Sequence, residues 1–134
     1  MTTLLKSATI IDTSSPYHYQ TKDILIVNGK ISEIATTIQQ EPSYKTIKLD
    51  NLHVSCGWFD TSVSFGEPGY EERETINNGL EVASKSGFTA VAVNANTNPV
   101  IDSKSDVEFL INKATKSATN LFPIGALTKG SKGI

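Results

Sequence analysis

Two serines alternate along one predicted strand and a glycine follows two residues later, at a spacing that would let longer side chains act together. The segment Asp60–Gly69 reads DTSVSFGEPG, with Ser62, Ser64 and Gly66 at every second position. Residues i and i+2 of a strand point to the same side, so such a pair can reach one bound ion or molecule. Serine hydroxyls are poor zinc ligands at neutral pH, because they are neither soft nor readily deprotonated. We therefore expect no metal ligand and no catalytic residue in this segment.

Few other side chains could act as metal ligands, catalytic groups or substrate-binding groups. His18 and His53 are the only histidines, and neither is placed to substitute for Ser62, so we expect both to be ordinary surface or loop residues. The single cysteine, Cys56, excludes an internal disulfide and the Cys-pair zinc patterns, and we expect it to be a small buried apolar residue. Asn96 opens the predicted loop Asn96–Pro99, where an asparagine commonly bonds nearby backbone.

The first 55 residues have the pattern of short strands. Asn28-Gly29 suits a two-residue hairpin, because both central residues of such a turn must accept positive φ. The predicted strands are Thr3–Asp12, Asp23–Val27, Lys30–Ile34 and Tyr44–Leu49. Strands this short need a partner layer to form a stable sheet.

From Cys56 onward the pattern becomes strand, helix, strand, helix, strand. Extended segments are predicted at 57–65, 88–94 and 121–127, and helices at 74–86 and from 105 to about 116. Gly87 would cap the end of the first helix. Ser105 and Glu108 would form a capping box at the start of the second. The alternation implies a parallel α/β unit, so we predict one domain at 1–55 and a second at 56–134.

Composition narrows the class of protein. The chain has 134 residues, of which 38% are hydrophobic and 19% charged, as in ordinary globular domains. A formal net charge of -2, with scattered lysines, gives no electrostatic reason to expect nucleic acid. No apolar run approaches the roughly 20 residues that span a bilayer, and no secretory signal is visible. We expect a cytoplasmic protein that binds neither nucleic acid nor membrane.

Several motifs together resemble the N-terminal part of dihydroorotases, cyclic amidohydrolases whose first barrel strand reads Asp-x-His-x-His-x-Arg-Glu-Pro-Gly. In this chain serines stand at both histidine positions, 62 and 64, and glycine stands at the arginine position, 66. The other similar segments are Lys22–Ile34, Gly57–Asp60, Glu67–Glu71, Glu74–Ile76, Gly87–Thr89, Asn96–Asp102 and Pro123–Gly130. Each segment alone is weakly specific, but together they cover essentially the whole chain.

The resemblance implies strands of a small β-sandwich followed by the first units of a metal-dependent (β/α)₈ TIM barrel. Such a barrel takes about 250 residues, so the chain is expected to be the N-terminal portion of a longer protein. A small open α/β domain that ends here is the alternative. The resemblance implies that active family members use zinc to catalyse a step of pyrimidine biosynthesis. Asn96 stands at the position of a family asparagine that helps to hold the substrate carboxylate. The family's Met-Pro before that asparagine is replaced by Asn94-Ala95.

Loss of the metal and carboxylate groups together favours a non-catalytic member of the family, with no cofactor in this chain. Some inactive relatives are scaffolds for aspartate transcarbamoylase, so the resemblance implies the same role for this protein. Barrel members of the family commonly form homodimers, so it also implies a homodimer. Two alternatives stay open. One is an active cyclic-amide hydrolase with a rearranged metal site, and the other is a small-ligand binding module that keeps the pocket without the chemistry.

Overall fold

The computed structural model describes residues 1–133, which divide into two compact units at Cys56 and Gly57. The first unit contains five strands. They are β1 (Thr2–Ile11), β2 (Thr21–Val27), β3 (Lys30–Ala35), β4 (Lys45–Lys48) and β5 (His53–Ser55). The second unit contains three strands and two helices. They are β6 (Trp58–Val63), α1 (Ile76–Lys85), β7 (Phe88–Val93), α2 (Lys104–Ala114) and β8 (Asn120–Pro123).

The first unit is one mixed sheet in the order β3-β2-β1-β4, with β5 also pairing β1. The predicted hairpin is confirmed, since β2 and β3 pair antiparallel and Asn28 and Gly29 have φ of 51° and 78°. Strands β4 and β5 run parallel to β1. The sequence pattern missed β5, because a three-residue strand is too short to show an alternation.

An ion pair with a buried carboxylate lies within the first unit. Asp23 is 2% exposed, and its carboxylate forms an ion pair with the partly exposed Lys6. The same carboxylate accepts hydrogen bonds from the backbone amides of Ser7, at 2.8 Å, and Ile38, at 2.9 Å. Ser7 has a φ of 55° at the bulge in β1, so Asp23 anchors an irregular stretch of backbone.

The second unit is a parallel sheet in the order β6-β7-β8. The predicted alternation of parallel strands and helices is therefore confirmed. Its core joins the sheet to both helices. The core residues are Phe65, Ile76, Leu80, Val91, Val93, Ile101, Leu110 and Leu121. The last strand is shorter than predicted, since β8 ends at Pro123 and a loop with a 3₁₀ turn at Lys129–Ser131 follows.

Both helices begin at a side-chain cap, but one predicted cap was wrong. Thr75 caps α1, and Gly87 follows its last turn with a φ of 90°. The capping box of α2 is formed by Ser103 and Asp106, two residues before the predicted pair. Both pairs, Ser103 with Asp106 and Ser105 with Glu108, have the spacing of a capping box, a serine three residues before an acidic residue. The register with Ser103 also lets Asp106 accept a bond from the backbone amide of Asp102 at 3.3 Å.

The sheet face turned away from the helices in the second unit is partly apolar. Val91, Val93 and Leu121 pack toward the helices. Alternation along a strand therefore sends Phe122 to the opposite face. Phe122 meets Phe59 there, with ring centroids 5.8 Å apart, and the two side chains are 52% and 54% exposed.

No helix in the described part of the chain has both the length and the apolar character needed to cross a bilayer.

Candidate functional site

The carboxyl ends of β6 and β7 bring four polar side chains together. Ser62 lies near the end of β6 and Ser64 follows it, while Asn94 and Asn96 follow β7. Parallel strands present their carboxyl ends at one edge of the sheet, which is the usual place for sites in α/β folds. The strand pairing continues past β7, since the amide of Asn94 donates to the carbonyl of Val63 at 2.9 Å.

Side-chain hydrogen bonds join these four residues, which we call the Ser-Asn cluster (Ser62, Ser64, Asn94 and Asn96). Nδ2 of Asn94 donates to Oγ of Ser62 at 3.1 Å and to Oγ of Ser64 at 3.4 Å. Nδ2 of Asn96 donates to Oγ of Ser64 at 3.0 Å. Asn96 thus bonds a side chain of the neighbouring strand, whereas its sequence context alone favoured local backbone.

Asn94 was not recognised as a site residue from the sequence, where it stood out only as a departure from the family motif. A signal existed, because a polar residue follows the buried residues Val91, Ala92 and Val93 at the edge of a parallel sheet. The partner could not be read from that signal, since Ser62 lies 32 residues earlier in the chain.

The Ser-Asn cluster does not fit a zinc ion. Its hydroxyls are neutral and already accept bonds from amide groups, and amide nitrogens have no lone pair suited to a metal. The nearest acid in β6 is Asp60, whose Oδ1 accepts a bond from the backbone amide of Ser62 at 3.0 Å. Within residues 1–133, no three His, Cys, Asp or Glu side chains lie close enough to hold a metal ion.

Gly66 is enclosed by its own loop. Its amide donates to the carbonyl of Glu74 at 2.9 Å, and its carbonyl accepts from the amide of Tyr70 at 2.9 Å. A Cβ atom built on Gly66 would lie 1.8 Å from the carbonyl oxygen of Tyr70. Real side chains do not approach backbone so closely, so this loop conformation excludes any side chain at position 66, including an arginine.

Residues outside the loop after β6 also fix its conformation. Glu67 is 7% exposed, accepts a bond from the amide of Ile76 at 3.0 Å, and pairs with Lys113 at 2.7 Å. The amide of Asn98 donates to the carbonyl of Pro68 at 3.0 Å. These bonds tie the β6–α1 loop to both helices and to the β7–α2 loop, which fixes the rim of the site.

The segment after β8 is held to the β7–α2 loop by Asp102. Its Oδ1 pairs with Nζ of Lys129 at 2.9 Å, and its Oδ2 accepts from the amide of Gly130 at 2.6 Å. The backbone bond from Gly130, followed by the bond and charge of Lys129, lowers the pKa of Asp102. The amide of Ala126 also donates to the carbonyl of Ile101 at 2.7 Å.

The bonds from Lys129 and Gly130 to Asp102, which we call the clasp of Asp102, predict that the segment after β8 becomes less ordered at low pH. The lowered pKa means that the stabilising contribution of Asp102 is complete above the ordinary value of about 3.9 and is lost as pH falls through the lower folded value. In an NMR titration, the amide of Gly130 should shift with a midpoint below that ordinary value. Asp102→Asn should abolish this titration, and a midpoint at or above the ordinary value would contradict the clasp.

A cleft of about 630 Å³ opens beside the Ser-Asn cluster, at the carboxyl ends of β7 and β8. Its lining includes Asn94 and Asn96, and Ile124, Ala126 and Leu127 contribute apolar surface. Every lining residue that the structure describes is uncharged. This shallow, open cleft therefore combines apolar surface with a few polar groups.

The remaining predicted residues, His18, His53 and Cys56, belong to the first unit. His18 accepts a bond at Nδ1 from the amide of Asp12, at 3.1 Å, and His53 lies 2.6 Å from the carbonyl oxygen of Asn51. Both histidines thus make local backbone contacts in the first unit. The prediction for Cys56 was wrong, because the thiol is exposed rather than buried. Cys56 lies at the boundary between the two units, and an apolar residue in a connecting segment need not lie in a core.

Solved structures define the class of fold. The chain is similar to an L-hydantoinase (dihydropyrimidinase) from Arthrobacter aurescens, with a TM-score of 0.77 and 19% identity over 92% of this chain and 27% of that one. A D-hydantoinase gives a TM-score of 0.70 at 24% identity, covering 97% and 29% of the two chains. A dihydroorotase gives 0.66 at 15%, covering 96% and 32%. The described fold is thus the mixed α/β fold found in the N-terminal part of amidohydrolases.

Sequence comparison is more specific. The family model described as dihydro-orotase-like matches residues 53–134, so the chain belongs to the dihydroorotase-like family. Among curated relatives, the dihydroorotase of Ruminiclostridium cellulolyticum is 42% identical over 134 residues, and that of Geobacter metallireducens is 36% identical. Each alignment covers 99% of this chain but only 31% of the relative, so the chain spans less than a third of their length. The predicted resemblance of the chain to dihydroorotases is confirmed.

Proposed function

We propose that this chain is a non-catalytic, dihydroorotase-like protein related to pyrimidine biosynthesis, with the N-terminal strands and first units of a TIM barrel. The observation that carries this proposal is the Ser-Asn cluster. Oxygen and amide groups bond one another where the family motif has two histidines. Without those imidazoles the site lacks the donors that hold zinc, and without zinc it lacks an activated hydroxide.

The substrate side of the site supports the same proposal. Family members place an arginine at position 66, where this chain has a glycine that the loop encloses. A bidentate, charge-assisted bond to a substrate carboxylate is therefore lost, which removes about 1.5–3 kcal/mol of binding. Asn96 is the residue we propose to retain a substrate-facing role, because its side chain lies at the cleft.

Because the chain lacks the groups for zinc-dependent hydrolysis, we propose a structural role. It would act as a scaffold for aspartate transcarbamoylase or as one subunit of a homodimer. A scaffold needs the fold and its surfaces but not the metal ligands. The retained loop bonds of Glu67 and the clasp of Asp102 keep the fold intact around a site that has lost its donors.

The proposal predicts that the purified chain binds no zinc at the Ser-Asn cluster. After dialysis against micromolar zinc, elemental analysis should find well below one zinc per chain, and dihydroorotate should not be hydrolysed in a zinc-dependent manner. The matched control is Ser62→Ala/Ser64→Ala, which should give the same zinc content. Stoichiometric zinc that this variant loses, or robust zinc-dependent hydrolysis by the unmodified chain, would support the rearranged metal site instead.

The scaffold role has a separate readout in sedimentation velocity. The chain mixed with the aspartate transcarbamoylase of its own organism should sediment as a larger complex, and the chain alone should report whether it forms a dimer. Independent sedimentation of both proteins at micromolar concentrations would refute the scaffold role while leaving the loss of catalysis standing.

A further inference from the structure

We propose that Asn28 is a site of spontaneous deamidation, in which the backbone nitrogen of Gly29 attacks the side-chain amide of Asn28. The chain has two Asn-Gly pairs, Asn28-Gly29 and Asn78-Gly79. Asparagine before glycine closes such a ring most readily, because no side chain on the following residue hinders the attack. The two pairs lie in opposite environments, and the second is protected. The reacting groups belong to the first unit and need neither metal nor substrate, so the proposed function plays no part.

The first pair lies at the tip of the hairpin formed by β2 and β3. Asn28 and Gly29 are both exposed, and their φ angles are 51° and 78°. The N–H of Gly29 has no backbone acceptor among the residues that the structure describes. A Cβ atom built on Gly29 would have nothing within 4 Å, so the turn is open to water on this side. Hydroxide can therefore remove the amide proton without first displacing a backbone hydrogen bond.

A positive charge lies beside the side-chain amide of Asn28. The N-terminal ammonium of Met1 donates to Oδ1 of Asn28 at 3.0 Å, and the backbone amide of Asn28 donates to the carbonyl of Met1 at 3.0 Å. A cation at Oδ1 polarises the carbonyl and stabilises the negative charge that develops on this oxygen during the attack. The ammonium group therefore accelerates the reaction at this pair.

The reaction needs only hydroxide and water. Hydroxide takes the proton of the Gly29 nitrogen, and this nitrogen forms a bond to Cγ of Asn28 while the C=O electron pair moves to Oδ1. The electron pair then returns, the Cγ–Nδ2 bond breaks, and Nδ2 takes a proton from water and leaves as ammonia, which regenerates hydroxide. Water opens the resulting cyclic imide at either carbonyl. Cleavage of the bond from nitrogen to Cγ gives aspartate, and cleavage of the bond from nitrogen to the backbone carbonyl carbon gives isoaspartate.

Helix α1 blocks the same reaction at the second pair. The amide of Gly79 donates to the carbonyl of Thr75 at 3.0 Å, and Nδ2 of Asn78 donates to Oε1 of Glu74 at 2.8 Å. Gly79 is buried, and a Cβ atom there would lie 2.3 Å from the ring of Phe65. Attack by the Gly79 nitrogen would therefore require the helix to open and to leave its contact with the core.

The two products have different effects on the hairpin. Aspartate at this position keeps the backbone unchanged and offers a carboxylate to the ammonium of Met1. Isoaspartate adds a carbon atom to the main chain of a two-residue turn, whose length fixes the register of the strands. Ile24 and Ile26 of β2 and Ile34 of β3 pack in the core of the first unit. A change of register would turn such apolar side chains out of the core, so the isoaspartate form should be the less stable one.

Peptide mapping of chain incubated at mildly alkaline pH compares the two pairs directly. Trypsin separates them, since it releases residues 23–30 and 74–85 as different peptides. Asn28 should convert to aspartate and isoaspartate at least about ten-fold faster than Asn78, because α1 must open before its pair can react. In guanidinium chloride both pairs should react at similar rates. Equal rates in the folded chain, or conversion of Asn28 only after unfolding, would overturn the proposal.

Matched variants test the site and the two effects assigned to it. Asn28→Gln should remove the early acidic charge variant, because glutamine would have to close a larger ring, and Asn78→Gln should leave that variant unchanged. Acetylation of the N-terminus should slow conversion of Asn28 several-fold, and an unchanged rate would refute the contribution of the ammonium. Amides of β3 should exchange hydrogen faster in the isoaspartate form than in Asn28→Asp, and equal exchange would refute the change of register.

Discussion

Replacing Gly66 with alanine should lower the free energy of unfolding of the second unit by about 1–3 kcal/mol, the usual cost of overpacking. The added methyl group would stand 1.8 Å from the carbonyl oxygen of Tyr70 and 3.1 Å from that of Glu74. Both contacts are with backbone, which cannot rotate away as a side-chain tip could. The single tryptophan, Trp58, lies in β6, so its fluorescence during urea denaturation reports on this unit.

Gly125→Ala is the matched control for that experiment. Gly125 lies at the same edge of the sheet, and a Cβ atom there would come no closer than 3.9 Å to its nearest neighbour, the carbonyl oxygen of Ile101. Equal unfolding free energies for Gly66→Ala and the unmodified chain would show that the loop can open at little cost.

The enclosure of Gly66 also bears on attempts to restore catalysis. A variant with Ser62→His, Ser64→His and Gly66→Arg would carry the cost of opening the loop in addition to any gain in metal affinity. Ser62→His/Ser64→His alone separates the two effects, because it changes the donors and leaves the loop closed.

Replacing Asp23 with alanine should destabilise the first unit by about 1–3 kcal/mol, the usual cost of leaving a buried hydrogen-bonding group without its partner. The change leaves Lys6 without its counter-ion and the amides of Ser7 and Ile38 without their acceptor. Hydrogen exchange of the β1 and β2 amides measures the effect in this unit directly. Asp50→Ala, in an exposed turn, is the control and should change exchange little.

The same carboxylate should make the first unit sensitive to acid. Burial raises the pKa of Asp23, but the bonds from Lys6, Ile38 and Ser7 outweigh it, so that the pKa is lowered overall. The stabilisation is therefore complete above the ordinary value of about 3.9 and is lost as pH falls through the lower folded value. If Asp23→Ala and the unmodified chain exchanged at equal rates at neutral pH, the ion pair would not be stabilising.

Local patterns in the sequence were enough to predict much of the fold. The Asn28-Gly29 turn depends on two adjacent residues, and the parallel unit depends on alternating periodicities over short windows. The start of α2 could not be chosen from the sequence, because Ser103 and Ser105 each precede an acidic residue by three positions. Only the folded loop, where Asp106 meets the amides of Asp102 and Ser103, decides between them.

One part of the candidate site could be picked out from the sequence, and its partners could not. Ser62, Ser64 and Gly66 were identified by their resemblance to a family motif that lies within ten consecutive residues. The bonds from Asn94 and Asn96 join segments about thirty residues apart, and they depend on the register of β6 against β7. The exclusion of side chains at Gly66 likewise depends on how the loop closes over it, which no residue pattern reveals.

The exposed pair of Phe59 and Phe122 leaves apolar burial free energy unused in the second unit. Each ring is about half exposed, and full burial of a phenylalanine side chain is worth about 1.5–3 kcal/mol. About half of that free energy per ring is available to any surface that covers the pair. Apolar contact alone would therefore stabilise an assembly formed there, independently of any ligand or metal.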